Sequence, residues 1–244
     1  MTGTTSADPY GALGTAYDAW CRSVTEDIGF YVDLALATGG PVLEVGVGSG
    51  RVAVPTALAG VEVVGVDVSE DMLDLAWAKA LPHRVPLRLV RADMRDLPDL
   101  GTFRLVTVPF RALLHLHDDA ERLAVLRLLH ARLRPGGRLA FDVFHPDRID
   151  IEETHGRWLE REPGIHERAD WRPHERTLTL AVRTRGRATT MELSWAEPRT
   201  WAGLLAQAGF DDVRRYGGFH GEPLRIDSPD SVWVATASEA AAAG

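Results

Sequence analysis

Residues 41–67 read PVLEVGVGSGRVAVPTALAGVEVVGVD. PVLEVG (41–46) and VEVVGVD (61–67) are near-continuous apolar runs of strand length, as expected for strands covered on both faces. VAVPTALA (52–59) lies between them as a helix candidate, joined to the first run by a glycine cluster. Strand, glycine turn, helix and strand make a βαβ unit, with its two strands parallel.

The same alternation extends outward as far as Val143. PLRLVRAD (86–93), RLVTVPF (104–110) and GRLAFDVF (137–144) supply further strands, and EDMLDLAWAKAL (70–81) a second helix. DDAERLAVLRLLHARL (118–133) carries apolar side chains at helical spacing; Asp118 or Asp119 is placed to cap it and RPGG (134–137) to stop it. After Asp147 the pattern changes. LEREPGIHERADW, RTLTLAVRTRG and ATTMELSWAE alternate as antiparallel strands, with turn residues at Pro163-Gly164 and Gly186. A helix at about 198–208 then leads to DVRRYGGF (212–219) and SVWVATA (231–237), two closing strands. The expected layout is an α/β core over 10–147 and 196–237, a β-rich insert over 148–195, and loose tails at 1–9 and 238–244.

Composition narrows the function classes. The chain has 244 residues, 45% of them hydrophobic and 25% charged, which is the range of ordinary globular proteins. Its formal net charge of -8 argues against a broad surface for nucleic acid or anionic lipid, and favours a small substrate. No apolar stretch reaches the ~18 residues of a membrane span, and MTGTTSADPYG lacks the basic and apolar regions of a signal peptide, so a cytoplasmic location is expected. A lone cysteine, Cys21, can form neither an internal disulfide nor a thiolate cluster, and packing beside an N-terminal helix is its expected role. An exposed strand of the insert can pair across a dimer, so monomer and homodimer both stay open.

The glycine cluster Glu44-Val45-Gly46-Val47-Gly48-Ser49-Gly50 lets backbone approach a ligand without Cβ obstruction. Its spacing is GxGxG, shorter than the GxGxxG of dinucleotide sites, and Glu44 would repel a pyrophosphate. An acid there suits a cationic ligand, such as the amino group or sulfonium of S-adenosylmethionine. Asp67 ends the second strand, where a carboxylate accepts hydrogen bonds from ribose hydroxyls or caps the helix that begins at Ser69-Glu70-Asp71. Asp93, after the third strand, can reach an adenine amino group while Met94 lines the ring; otherwise it caps a loop or pairs with Arg95.

Taken together, VLEVGVGSGRV (42–52), VVGVDVSEDML (63–73), RADMRDLP (91–98), LVTVPFRALLHL (105–116) and LRPGGRLAFDVF (133–144) resemble the class I, Rossmann-like, S-adenosylmethionine-dependent methyltransferases. The resemblance implies a seven-stranded, mostly parallel sheet of order 3-2-1-4-5-7-6, flanked by helices, its last strand antiparallel. It implies S-adenosylmethionine as cofactor and S-adenosylhomocysteine as product. Glu44, Gly46, Gly48 and Gly50 match the loop that holds the methionine part, Asp67 and Val68 the ribose and adenine contacts, and Asp93 and Met94 the adenine edge. Met72 joins this set, as does Pro109, which falls with Phe110 and Arg111 where the fourth strand meets the methyl group. Those three lack the Asn/Asp-Pro-Pro-Tyr signature of nucleobase amino-methylases, which disfavours DNA or RNA as acceptor. Tyr17-Asp18-Ala19-Trp20 resembles the lid-helix start of small-molecule methyltransferases, and the insert lies where they carry an antiparallel flap over the acceptor.

A sulfonium is already a strong electrophile, so such an enzyme mainly aligns the acceptor and excludes water. His115 is the candidate for taking the acceptor's proton and Tyr17 for orienting acceptor or sulfonium, although either can be a packing residue. Arg111 fits an acidic acceptor or a structural carboxylate, and Trp158, Trp171, Arg183, Trp195 and Phe219 are candidate acceptor-wall residues. The run His115-Leu116-His117-Asp118-Asp119 invites a metal, but it leads straight into a helix that needs an aspartate cap, so no metal is expected. The leading expectation is methyl transfer to N or O of a small, secondary-metabolite-like molecule. The alternatives are a non-catalytic S-adenosylmethionine-binding protein, an enzyme of this fold catalysing another step, and an NAD(P)-dependent oxidoreductase.

Overall fold

In the computed structural model, which describes residues 8–184, 187–228 and 230–238, the apolar runs of the first half become neighbouring strands. The expectations for residues 1–7, Gly186 and residues 239–244 lie outside the described residues. β1 (Val42–Val45), β2 (Val63–Asp67), β3 (Leu87–Arg91), β4 (Phe103–Val108) and β5 (Leu133–Val143) are parallel. β1 is buried at every position because it is central, Val42 pairing with Val63 on one side and Leu105 on the other. β5 starts earlier than its apolar run. Leu133 pairs with Phe103, and the ladder shifts register before Arg138 meets Leu105, so the RPGG turn is an irregularity inside the strand.

The insert folds as β6 (Trp158–Glu162), β7 (Ile165–Arg172), β8 (Thr177–Thr184) and β9 (Arg187–Ser194), an antiparallel four-stranded sheet. Gly164 supplies the left-handed backbone of the first hairpin turn (φ +77°). β10 (Phe210–Tyr216) and β11 (Ser231–Ala237) return to the main sheet, where β11 runs antiparallel to both β5 and β10. The main sheet is ordered β10-β11-β5-β4-β1-β2-β3. Counted over its own strands, that is 3-2-1-4-5-7-6, as the resemblance implies.

The helices are α1 (Ala16–Trp20), α2 (Glu26–Thr38), α3 (Ala53–Leu58), α4 (Glu70–Ala80), α5 (Asp119–Ala131), α6 (Arg148–Thr154) and α7 (Pro198–Gln207). Ser69 caps α4, and Asp118, not Asp119, caps α5 by accepting the Glu121 N–H at 2.8 Å. α6 stands at the head of the insert, opened by a reciprocal Asp147/Asp150 capping box. Apolar periodicity does not signal a helix this short.

Two anchors fix the insert over the sheet. Arg122 of α5, 1% exposed, donates to the Ser194 carbonyl and hydroxyl at 2.9 Å and pairs with Asp119 at 2.7 Å. From the other side, the Thr189 hydroxyl of β9 donates to the Pro9 carbonyl at 3.2 Å. This last bond corrects the expected loose start for residues 8 and 9. The Asp8 carboxylate accepts the Gly11 N–H at 2.8 Å, forming a local turn that small polar composition conceals. Ser238, expected in the other tail, donates its N–H to the Gly209 carbonyl at 3.2 Å. Cys21 is buried immediately after α1. No helix among the described residues is long and apolar enough to cross a membrane.

Candidate active site

β1 delivers the chain into a turn whose glycines are left-handed, Gly46 at φ +71°, Gly48 at +52° and Gly50 at +77°. A Cβ on Gly46 would lie 2.9 Å from that of Ala112, and one on Gly50 2.9 Å from Val54 Cγ2, so packing also requires both glycines. The turn is latched by the end of the neighbouring strand. Asp67 accepts the Gly48 N–H on Oδ2 at 2.8 Å and the Ser69 N–H on Oδ1 at 2.9 Å. Burial raises the Asp67 pKa, and these two N–H groups oppose the rise.

In front of this latch is a cavity of about 390 Å³. Gly46, Gly48, Asp67, Val68, Met72, Asp93, Met94 and Pro109 all line it, with Tyr17 and His115. Asp93 also pairs with Arg95 at 3.3 Å, so the alternative reading of that residue is realised while its side chain still reaches the wall. Glu44 and Gly50 do not line the cavity. Glu44 is 3% exposed and turns to the base of α3, where it accepts the Ala53 N–H at 3.2 Å. Its expected contact with a cationic ligand is corrected accordingly.

Burial pushes the Glu44 pKa from 4.5 up to about 8, against the opposing pull of Arg51 and the Ala53 N–H. The folded protein therefore holds a proton that the unfolded chain has released. Glu44's contribution to stability is fully present below about pH 4.5 and is lost as pH rises through about 8. Glu44→Gln removes this dependence. In urea unfolding, the variant's stability relative to the parent should improve by about 3–4 kcal/mol between roughly pH 5 and pH 8. A difference independent of pH would show that Glu44 is ionised in the fold.

A second cavity, of about 500 Å³, lies under the flap, lined by Trp20, Arg111, Asp142, Trp171, Phe219 and the inward side chains of β8 and β9. The two cavities share Tyr10 and Phe110. Tyr10 Oη is 2.6 Å from His115 Nε2. Burial lowers the His115 pKa to about 4, with His117 and Arg95 adding to the effect, so its ring is neutral at pH 7. Its wall is that of the first cavity, and its link to the second is Tyr10.

Phe110 and Arg111 are non-glycine residues in left-handed conformation, at φ 54° and 64°. Such backbone costs about 1–3 kcal/mol per residue unless its surroundings hold it. Asp142 of β5 is the clamp. Its Oδ1 accepts the Phe110 N–H at 2.8 Å and the Tyr31 hydroxyl at 2.7 Å, and its Oδ2 accepts the Arg111 N–H at 3.1 Å. Burial pushes the Asp142 pKa up to about 6.

Of the expected acceptor wall, Arg111, Trp171 and Phe219 line the second cavity, with Arg111 paired to Asp230 at 2.7 Å. Trp195 does not; it is buried behind Trp171, ring centroids 5.4 Å apart. Trp158 and Arg183 do not line it either, and pair with each other, the guanidinium 4.4 Å from the ring centroid. Three residues went unassigned in the sequence. Tyr10 was signalled only by its Asp8-Pro9-Tyr10-Gly11 turn, Phe110 by its place at the end of β4, and Asp142 by an acid inside an apolar strand.

A family model described as a methyltransferase domain matches residues 42–137. The cypemycin N-terminal methyltransferase of a Streptomyces species is 31% identical over 210 residues, which is 80% of this chain and 82% of that protein. The chain belongs to the class I S-adenosylmethionine-dependent methyltransferases. The structure of the CcbJ methyltransferase from Streptomyces caelestis superposes with a TM-score of 0.83 at 28% identity, over 95% of this chain and 99% of that one. The fold is shared with S-adenosylmethionine-bound CalS10, an amino pentose methyltransferase from Micromonospora echinaspora, at a TM-score of 0.69 and 22% identity over 98% and 100% of the chains. Two further curated relatives are matched over about half their length, 53% and 51%.

The first cavity fits the methyltransferase cofactor on its own chemistry. It has a backbone cradle at Gly48, carboxylates from Asp67 and Asp93, and the apolar faces of Val68, Met72 and Met94, all within a volume typical of cofactor sites.

Proposed function

We propose that this methyltransferase acts on a nitrogen of a small molecule held under the flap. The observation that carries the reading is the meeting of the two cavities at Tyr10 and Phe110, which gives a cofactor site a neighbouring acceptor chamber. A protein that only senses the cofactor needs no such chamber. S-adenosylmethionine, when bound, supplies an electrophilic methyl group on sulfur. The chain's residues hold and align. Asp67 and Asp93 face the ribose and the adenine edge, Val68, Met72 and Met94 the adenine ring, and Gly46, Gly48 and Pro109 the methionine end. Tyr17 closes the site from α1, which lies against the glycine turn; its hydroxyl is 3.6 Å from where a Cβ on Gly48 would be.

Nitrogen is favoured over oxygen by two considerations. The relative matched over most of both chains is named an N-terminal methyltransferase. Glu26, on the wall of the second cavity and without an ion pair among the described residues, also offers an amine a carboxylate on entry. His115 acts through Tyr10 as a positioning residue, since its ring nitrogen reaches the acceptor chamber only by way of the phenol. Alignment and exclusion of water then carry the rate.

The test supplies S-adenosylmethionine with size-matched primary amines, phenols and carboxylic acids, and follows S-adenosylhomocysteine formation and product mass. Methylated amines are the expected outcome. Transfer confined to phenols or acids overturns the nitrogen assignment. Failure to bind S-adenosylmethionine calorimetrically overturns the reading of the first cavity.

A further inference from the structure

The acceptor cavity is unevenly committed in charge. Among its acids, Asp27 receives both Arg51 nitrogens at 2.7 and 2.6 Å, Asp142 accepts three donors, Asp230 pairs with Arg111, and Glu167 accepts the Trp20 indole N–H. The arginines of the flap edge differ. Arg157, just before β6, and Leu159 and Arg161 of β6 all line the cavity. Their neighbours are engaged elsewhere, Trp158 with Arg183 and Glu160 with the Gly164 N–H at 2.8 Å. Arg157 and Arg161 have no ion pair among the described residues. Two guanidiniums thus face one chamber whose only acid without a partner among the described residues is Glu26, in a chain whose net charge is -8.

We propose that Arg157 and Arg161 form an anion subsite at the rim of the acceptor cavity, so that the substrate carries a carboxylate or phosphate at the end remote from its reacting nitrogen. This rests on the acceptor reading above. The chamber has the matching middle, since Leu178, Leu180, Met191 and Leu193 supply an apolar floor between the rim and the Tyr10–Phe110 junction. A guanidinium is the side chain suited to a planar carboxylate or a phosphate, because its N–H groups form a fixed fork.

The test uses the protein saturated with S-adenosylhomocysteine and titrates calorimetrically with para-(aminomethyl)benzoate and para-methylbenzylamine, which keeps the amine and replaces the carboxylate by a methyl group. The carboxylate probe is expected to bind about tenfold tighter, a preference that falls to within about twofold in Arg157→Gln/Arg161→Gln. Both residues are exposed, Arg161 on the edge strand β6 and Arg157 just before it, and near-UV circular dichroism checks that the variant keeps its fold. Para-(aminomethyl)phenyl phosphate, run alongside, shows which anion the rim prefers. Equal binding of the first two probes, no binding of the carboxylate probe, or a preference unchanged in the variant overturns the subsite. Methyl transfer to the same probes reports separately on the nitrogen reading. Transfer without anion preference removes only the subsite, and anion preference without transfer to any amine removes only the reaction.

Discussion

Asp67→Ala binds S-adenosylmethionine about 100-fold more weakly than the parent, or below detection in calorimetric titration, while remaining folded. The carboxylate does two jobs in one place. It holds the Gly48 and Ser69 N–H groups at 2.8 and 2.9 Å, and it faces the cavity where the ribose is expected. Hydrogen bonds to a charged partner are worth about 1.5–3 kcal/mol each, so losing the latch together with a ribose contact accounts for a hundredfold effect. Two comparisons sharpen the result. Asp67→Asn should retain part of the affinity, since its amide oxygen can serve only one of the two N–H groups. Asp93→Ala should lose only about tenfold, because Asp93 is partly exposed and shared with Arg95. Affinity of Asp67→Ala within threefold of the parent would place the ribose elsewhere.

Asp142→Ala should lower both stability and turnover, but leave cofactor affinity nearly intact. Removing the carboxylate strands three donors, the Tyr31 hydroxyl and the N–H groups of Phe110 and Arg111. At about 1–3 kcal/mol for each buried unsatisfied group, the expected loss in urea unfolding is roughly 3–5 kcal/mol. The left-handed turn at Phe110-Arg111 then has no clamp, and the wall between the chambers loses its shape. We expect kcat to fall at least about 100-fold, since misplacement by an ångström is enough for such a loss. The Kd for S-adenosylmethionine should stay within about threefold, because the Asp67 latch does not involve Asp142. Asp142→Asn keeps one acceptor oxygen and should fall between, which covers the case of an alanine variant too unstable to assay. Equal losses in cofactor affinity and kcat would mean that Asp142 serves the fold as a whole.

What was legible in the sequence was what depends on neighbours along the chain. The strands of the main sheet, the glycine turn and Asp67 at the end of β2 follow from apolar runs and from residues whose spacing is short. The wall of the first cavity is mostly built this way, by the loops that leave β1, β2, β3 and β4. Glu44 shows the limit. Its position beside the glycines suggests a ligand contact, yet the pleat of β1 turns it to the first N–H of α3, a matter of alternation that its sequence neighbours do not reveal. The acceptor chamber was less legible because its parts meet only in three dimensions. Tyr10 reaches His115 across 105 positions, and Asp142 reaches Phe110 across 32. Trp195 and Trp171 look alike as aromatic strand residues, and only packing decides that one is buried behind the other.

The wall shared by the two chambers carries a thermodynamic obligation. Tyr10 and Phe110 line both cavities, so an occupant that orders them on one side would change the free energy of binding on the other. Linkage makes that change symmetric: the factor by which donor tightens acceptor equals the factor by which acceptor tightens donor. Tyr10 belongs to a segment tied to the flap through Pro9 and Thr189, so the flap shares in the same coupling. On the proposed reading, the shared wall would make donor and acceptor binding depend on each other.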